Sequence, residues 1–382
     1  MTIINAHIYT MAGAGIFENG YIKITDGKIA AVGAMEAYRA DEPEEIFDAR
    51  GLLLFPGFID AHTHIGMCED GLGFEGDDLN EMTDPATPHL RGIDAVNPLD
   101  DCFHEALEAG VTAVVTGPGS ANPISGQLLA MKTWGNYVDE MVIKAPVAMK
   151  FALGENPKTV YHDRKETPVT RMATAAVIRG QLQEAAQYKE KKEAGEDVDF
   201  DAACEALVPL LNKEIPAHIH AHRLDDMATA ARIAKEFNLD YIIVHGTRGY
   251  LAPEILQKNN MRVLCGPIIC ERSKPELKGL TPKCPGILHE AGIPLAIITD
   301  HPVIPVQYLA LCAGLAEREG LPHMEALKAI TVNAAALAGI DGRVGSVEVG
   351  KDADFVLFSQ NPLTLEAKPQ AVIVDGVVRY QP

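Results

Sequence analysis

Residues 52–64 read LLLFPGFIDAHTH, an apolar run closed by two histidines, His62 and His64, at i, i+2 spacing. A short, continuous apolar run of this kind reads as a strand buried on both faces. The same layout recurs downstream. APVAMK ends on Lys150, IPAHIH on His220, DYIIVH on His245 and IPLAIITD on Asp300. Between these runs lie amphipathic stretches such as LDDCFHEALEAG and DDMATAARIAKEF, so strand and helix patterns alternate from about residue 53 to 340. Eight strand candidates fall near 53–61, 112–117, 127–134, 146–153, 216–220, 241–245, 262–266 and 295–299. This pattern predicts an α/β chain folded as a (β/α)8 TIM-like barrel, in which strand ends converge at one mouth. The six residues that would meet there are His62, His64, Lys150, His220, His245 and Asp300. Neutral imidazoles and a carboxylate are ligands that divalent zinc, manganese or iron accept.

Both termini depart from the barrel pattern. Residues 1–52 carry short alternations joined by turns such as Asp26-Gly27, and residues 344–382 return to short strands with a turn at Asp375-Gly376. The expected organisation is a small β-sandwich domain built from 1–52 and 344–382, and a barrel from 53–343. Two insertions stand out. Residues 66–98 carry Glu69, Asp70, Glu75, Asp77, Asp78, Glu81 and Asp84, and read either as a lid over the mouth or as a solvated acidic loop. Residues 168–213 read as helical and suited to packing or oligomer contacts.

The formal charge of −20, with 53 acidic against 33 basic residues, excludes the basic stripes that nucleic-acid binding requires. No stretch reads as a membrane span or a signal peptide, and the seven cysteines form no CxxC pair. A cytoplasmic protein acting on a small-molecule substrate is expected, with a homo-oligomer as the default assembly.

PGFIDAHTH, followed by HIHAH, VHGT and ITDHP and closed by GSVEVGKDADFVLF, resembles the amidohydrolase superfamily of metal-dependent hydrolases over essentially the whole chain. The pattern is most similar to its imidazolonepropionase-like and prolidase-like branch. The resemblance implies one or two divalent ions, zinc foremost, with manganese or iron as alternatives. His62, His64 and Asp300 match the ligands of the more buried ion, and His220 and His245 those of a second. Lys150 matches the position of a bridging carboxylated lysine, for which an apolar strand end that disfavours the ammonium is suitable. Glu155 is an alternative bridge. The implied reaction is hydrolysis of an amide or cyclic amide C–N bond, with Asp300 moving the proton. The alternative is a mononuclear ring hydrolase or deaminase of a heterocycle. Deaminases of the superfamily usually show HxxE here, whereas this chain reads His222-Arg223-Leu224-Asp225.

Further site candidates surround these. His218, His220 and His222 share one strand side; His222 is expected to contact substrate or protonate a leaving group, and His218 to be a satisfied core histidine. His301 is a candidate to support a ligand by hydrogen bonding. The loop TGPGSANPISGQ (116–127) reads as an anion cradle offering Ser120, Asn122 and Gln127, or as a tight turn needing glycine. Arg223, Arg248 and Arg272 are candidate carboxylate clamps.

Overall fold

The computed structural model describes residues 1–40, 45–69 and 71–382; Asp70 of the acidic loop lies outside these. The strands in chain order are β1 (Thr2–Tyr9), β2 (Ile16–Thr25), β3 (Lys28–Ala34), β4 (Ile46–Asp48), β5 (Leu53–Pro56), β6 (Phe58–Asp60), β7 (Val111–Thr116) and β8 (Ile124–Lys132). They continue as β9 (Val142–Ala152), β10 (Ala217–Ala221), β11 (Tyr241–His245), β12 (Val263–Cys265), β13 (Leu295–Ile297), β14 (Phe355–Phe358), β15 (Pro369–Val374) and β16 (Val377–Tyr380).

β6 to β13 form one eight-stranded sheet whose spatial order follows the chain. It curls into a nearly closed barrel, with its first and last strands stapled by a side chain. The Asp60 carboxylate accepts from the Thr299 hydroxyl (2.5 Å) and backbone N–H (3.1 Å) and from His62 N–H (3.2 Å). Asp300 N–H donates to His62 O and His64 N–H to His301 O, extending the seam to the mouth.

The barrel departs from eight parallel strands at one place. β8 is antiparallel to both β7 and β9. Only residues 117–123 separate it from β7, and a parallel return needs a crossover of about a dozen residues or more. The remaining ladders, β6–β7 and β9 through β13, are parallel.

Alternation sorts the barrel side chains. Ala148 of β9, Ile242 and Val244 of β11 and Ala296 and Ile298 at β13 belong to one apolar cluster inside the barrel. Met149, Phe151, Ala217, Ile219 and Ile243 belong to the larger cluster under the helices. Period-two geometry therefore puts Lys150, His218 and His220 on the inner side. The helical insertion covers the outer side, with helices Arg171–Glu193 and Ala202–Leu211 burying Ile178, Leu182, Leu207 and Leu210.

The apolar run 53–61, expected as one strand, is two. Leu53–Pro56 pairs with β1 and β14, while Phe58–Asp60 enters the barrel. Gly57 is the crossing point, and a Cβ there would lie 2.0 Å from Thr112 Oγ1. The terminal strands from both ends of the chain make a second eight-stranded sheet, β16-β15-β14-β5-β1-β2-β3, with β4 pairing β1. Among the described residues, no helix is long and apolar enough to cross a membrane, and all seven cysteines are free thiols.

Candidate metal centre

The six strand-end residues come together at the mouth. β6 stops at Asp60, and the chain then turns so that His62 Nε2 and His64 Nε2 lie 3.6 and 3.5 Å from Asp300 Oδ1. His64 donates Nδ1–H to the Gly117 carbonyl (2.7 Å), which leaves Nε2 facing Asp300. Two of the six have a left-handed backbone, His245 at φ 77° and Asp300 at φ 57°. Strand alternation would send His245 outward with Ile243, and the left-handed turn brings it into the mouth instead. A non-glycine residue in this region costs about 1–3 kcal/mol, a strain that tends to be kept where a functional side chain must be aimed.

A second cluster forms opposite the first. His220, His222 and His245 bring one ring nitrogen each within ligating distance of a common point, as His62, His64 and Asp300 do in the first cluster. His245 donates Nδ1–H to Gly266 O (2.7 Å), so its Nε2 accepts from His220 Nδ1–H at 2.7 Å. His220 Nε2 is then a lone-pair donor, buried and without a hydrogen-bond partner. His222 Nδ1 shares a hydrogen bond with the Thr247 hydroxyl (2.7 Å). Burial holds His62, His220, His222 and His245 well below the usual imidazole range, with Lys150 adding to the effect on each. These rings are therefore neutral, the form that binds metal. His222, expected just past the strand as a proton donor, lies within this donor cluster.

Lys150 is fully buried, with Nζ 2.8 Å from His62 Nε2. Burial pulls its pKa down to about 7, although the charge on Asp300 raises it and Lys274 lowers it further. Burial pushes Asp300 up, but His245, His64 and Lys150 outweigh it and hold the carboxylate below its ordinary value. His218 is level with Lys150 in the β9–β10 register. The expectation of a satisfied core histidine fails here: both its ring nitrogens are buried without partners, and burial with the nearby Lys150 and Arg262 drops it to about 3.

The donor set fits a divalent ion. Neutral imidazoles, the Asp300 carboxylate and a buried amine gather at one mouth, and His220 Nε2 is a buried lone pair without a partner, an arrangement that a cation satisfies.

The surroundings correct several substrate-contact expectations. The mouth opens into a cavity of about 600 Å³ whose lining includes His64, Asn80, Ser120, Asn156, Lys274 and Asp300. Ser120 is there, accepting from Asn156 Nδ2 (2.8 Å). Asn122 is not, because its amide serves the Glu81 carbonyl and Thr87, and accepts from the Tyr161 hydroxyl. Gln127 lies within β8, its N–H bonded to Leu90 O, because the glycine-rich loop leads into a hairpin strand rather than ending in a cradle. Arg223 is paired with Asp225 by two hydrogen bonds and lines a neighbouring cavity. His301 supports the first cluster through its backbone, its carbonyl accepting the His64 N–H, while its Nδ1 accepts the Val306 N–H. Of the acidic loop, Leu79, Asn80 and Met82 line the cavity, Asn80 Oδ1 accepts from Ala121 N–H (3.0 Å), and Glu75, Asp77, Asp78, Glu81 and Asp84 are exposed.

Three side chains escaped the sequence reading, namely Glu276, Lys274 and Asn156. Glu276 sits on a 3-10 turn, Pro275–Gly279, after β12, fully buried and 3.7 Å from the Nε2 atoms of both His220 and His222. Burial raises its pKa, yet His222 and Lys274 bring the net shift below the ordinary value. Glu155, the alternative bridge, belongs to neither cluster; its Oε2 accepts Glu276 N–H (3.3 Å). No apolar run marks SKPELKG. The available signal was an acidic residue in a loop above a barrel strand.

Two histidine-rich donor clusters at the C-terminal mouth of an α/β barrel define a class of barrel able to hold metal ions. The chain belongs to the amidohydrolase family, which it matches over residues 53–379, and by class it is a hydrolase of carbon–nitrogen bonds. It is similar to an amidohydrolase of known structure from Thermotoga maritima MSB8, at 40% identity, 100% coverage of both chains and a TM-score of 0.95. It is 30% identical over 397 residues to amidohydrolase tasK of Hapsidospora irregularis, a match covering 96% of this chain and 40% of that relative. An imidazolonepropionase of Phocaeicola vulgatus is 25% identical over 412 residues, covering 95% of this chain and 93% of the relative.

Proposed function

We propose that this chain hydrolyses the C–N bond of an amide or cyclic amide with two zinc ions at the barrel mouth. In this reading His62, His64 and Asp300 hold the first ion, His220 and His245 with His222 the second, and Lys150, as a carbamate, bridges them. The observation that carries the proposal is Lys150, a fully buried amine brought to about 7 and placed beside His62. A neutral amine is the form that reacts with carbon dioxide. A divalent ion at these donors supplies an activated water near neutral pH and polarises the carbonyl to be attacked. Asp300, whose carboxyl lies below its ordinary value, accepts a proton at its carboxylate and returns it to the leaving nitrogen. Ser120, Asn156 and Lys274 line the cavity and orient the rest of the substrate.

The reading includes 53–343 as the barrel unit, a β-sandwich domain from 1–52 and 344–382, a homo-oligomer, and action in the cytoplasm, for which seven free thiols are suited. Ring opening of a heterocycle is the second reading, favoured by the likeness to an imidazolonepropionase of similar length. Metal-stripped protein reconstituted with zinc and screened against dipeptides, N-acyl amino acids and cyclic amides tests the proposal. Zinc-dependent turnover of any open-chain amide supports the first reading, and turnover of cyclic substrates alone moves the assignment to the second. Zinc-independent turnover, or none of any class, rejects both.

A further inference from the structure

One wall of the cavity above the two donor clusters is polarised. Among the described residues that line it, Lys274 is the one lysine or arginine. Two of the arginines expected as carboxylate clamps are committed elsewhere: Arg223 is paired with Asp225, and Arg272 donates to the Leu280 carbonyl (3.1 Å). Lys274 Nζ contacts Glu276 Oε1 (2.9 Å) and donates to Asn156 Oδ1 (2.8 Å). An ammonium carries three N–H donors, so one remains to be given. The Glu276 side chain is fully buried and that of Lys274 is 27% exposed, which makes the pair a dipole with its positive end toward the cavity.

The same contacts set the direction of a hydrogen-bond chain. Asn156 Oδ1 accepts from the ammonium, so its Nδ2 turns to Ser120 Oγ and donates there (2.8 Å). The Ser120 oxygen is then an acceptor, and its own O–H is left to donate into the cavity. Ser120 follows β7, Asn156 opens the helix after β9 and Lys274 follows β12, so three separate loops bring two donors to either side of one carboxamide. Their depth in the cavity is also set. Glu276 Oε1, which holds Lys274, is 3.7 Å from His220 Nε2 and 3.7 Å from His222 Nε2. The ammonium therefore stands one carboxylate oxygen away from the second donor cluster, and an extended amino-acid residue spans about 3.5 Å. An anionic group one residue away from an amide held at that cluster falls within reach of this wall.

We propose that Lys274 and Ser120, aligned by Asn156, form the subsite for a carboxylate on the amine side of the scissile bond. The substrate class is then N-acyl amino acids and dipeptides with a free carboxylate, rather than neutral amides. The inference rests on the reading of this mouth as an amide hydrolase and narrows it. The substrate carboxylate accepts the third Lys274 N–H and the Ser120 O–H, while Glu276 positions the ammonium from behind. These contacts lie away from the reacting atoms and are the same before and during the reaction, so they act on KM more than on kcat.

Steady-state hydrolysis by zinc-loaded protein tests it on a panel of N-acetyl-L-amino acids and dipeptides, each supplied as the free acid and as the carboxamide. The wild type is compared with Lys274→Met, Lys274→Arg and Ser120→Ala. The wild type is expected to favour the acid form at least about tenfold in kcat/KM, the scale of a charge-assisted hydrogen bond. Lys274→Met should erase that preference by raising KM for the acids, with the carboxamides near their wild-type values, and Lys274→Arg should keep most of it. If Lys274→Met does not fold, Ser120→Ala carries the test, with a loss of about threefold confined to the acids. A wild type that takes both forms equally overturns the inference. So does a preference that survives in Lys274→Met, which would assign the carboxylate to the metal ions, and so does an equal loss on both forms in Ser120→Ala. Turnover of neither form rejects the amide-hydrolase reading itself, and the inference with it.

Discussion

Asp300 is held at a left-handed φ of 57°, ionised, and within 3.6 Å of two imidazoles, so its carboxylate has little freedom except to bind and move a proton. Asp300→Asn keeps the shape and removes the proton acceptor. It is expected to fold normally and to lose about 10²–10⁴-fold in kcat, as measured by steady-state turnover of whichever amide the screen yields. Lys150→Ala removes the proposed bridge. Metal content should fall, and a short carboxylic acid in the buffer should restore part of both metal and activity; unchanged metal content would remove Lys150 from the site. The six strand-end residues were legible because each closes an apolar run, and strand ends meet at a barrel mouth. Glu276 was not, because its place is set by a turn after β12 and by the space at Gly154, neither of which has an apolar pattern. The turned backbone at His245 was equally hidden, and spacing alone would have aimed that ring outward.

At the scale of elements, the reversal of β8 was available in the sequence, since seven residues between two strands permit a hairpin and not a crossover. Reading 116–127 as an anion cradle or a glycine-requiring tight turn obscured it, and Asn122 and Gln127 became substrate-contact candidates as a consequence. The short pivot at Gly57 was also concealed, because LLLFPGFID carries no polar break where one sheet hands over to the other. Gly57→Ala should lose about 1–3 kcal/mol by overpacking against Thr112. Thr112→Ala in the same chain should recover part of that loss by removing Oγ1 and Cγ2. Urea unfolding of the single and double variants measures both effects, and an unperturbed Gly57→Ala would contradict the crossing described here.

Across the whole molecule, the barrel and the terminal sheet are joined by a buried charge network at Lys132, the last residue of β8. Its Nζ contacts Asp352 (2.9 Å), Asp354 (2.9 Å) and Asp375 (2.5 Å), while Arg343 and Lys28 also pair with Asp352. Removing one member of a buried pair leaves charge uncompensated and costs about 3–5 kcal/mol, so Lys132→Met should lower the thermal midpoint markedly. Burial alone would raise Asp352, but Lys28, Lys132 and Arg343 bring it down to about 2. A carboxylate depressed in the folded state stabilises fully above its unfolded value of about 4 and loses that contribution as pH falls toward 2. Thermal midpoints recorded from pH 5 to 2 should therefore drop for the wild type, and drop less steeply for Lys132→Met.

The central claim is that neutral imidazoles, the Asp300 carboxylate and a buried lysine at one barrel mouth form a two-ion hydrolytic centre. Elemental analysis of wild-type protein, prepared in bicarbonate with zinc and freed of excess metal, tests it most directly. The account predicts close to two ions per chain. No bound ion would contradict it, and a single ion would remove the bridging role of Lys150 and return the site to a mononuclear one.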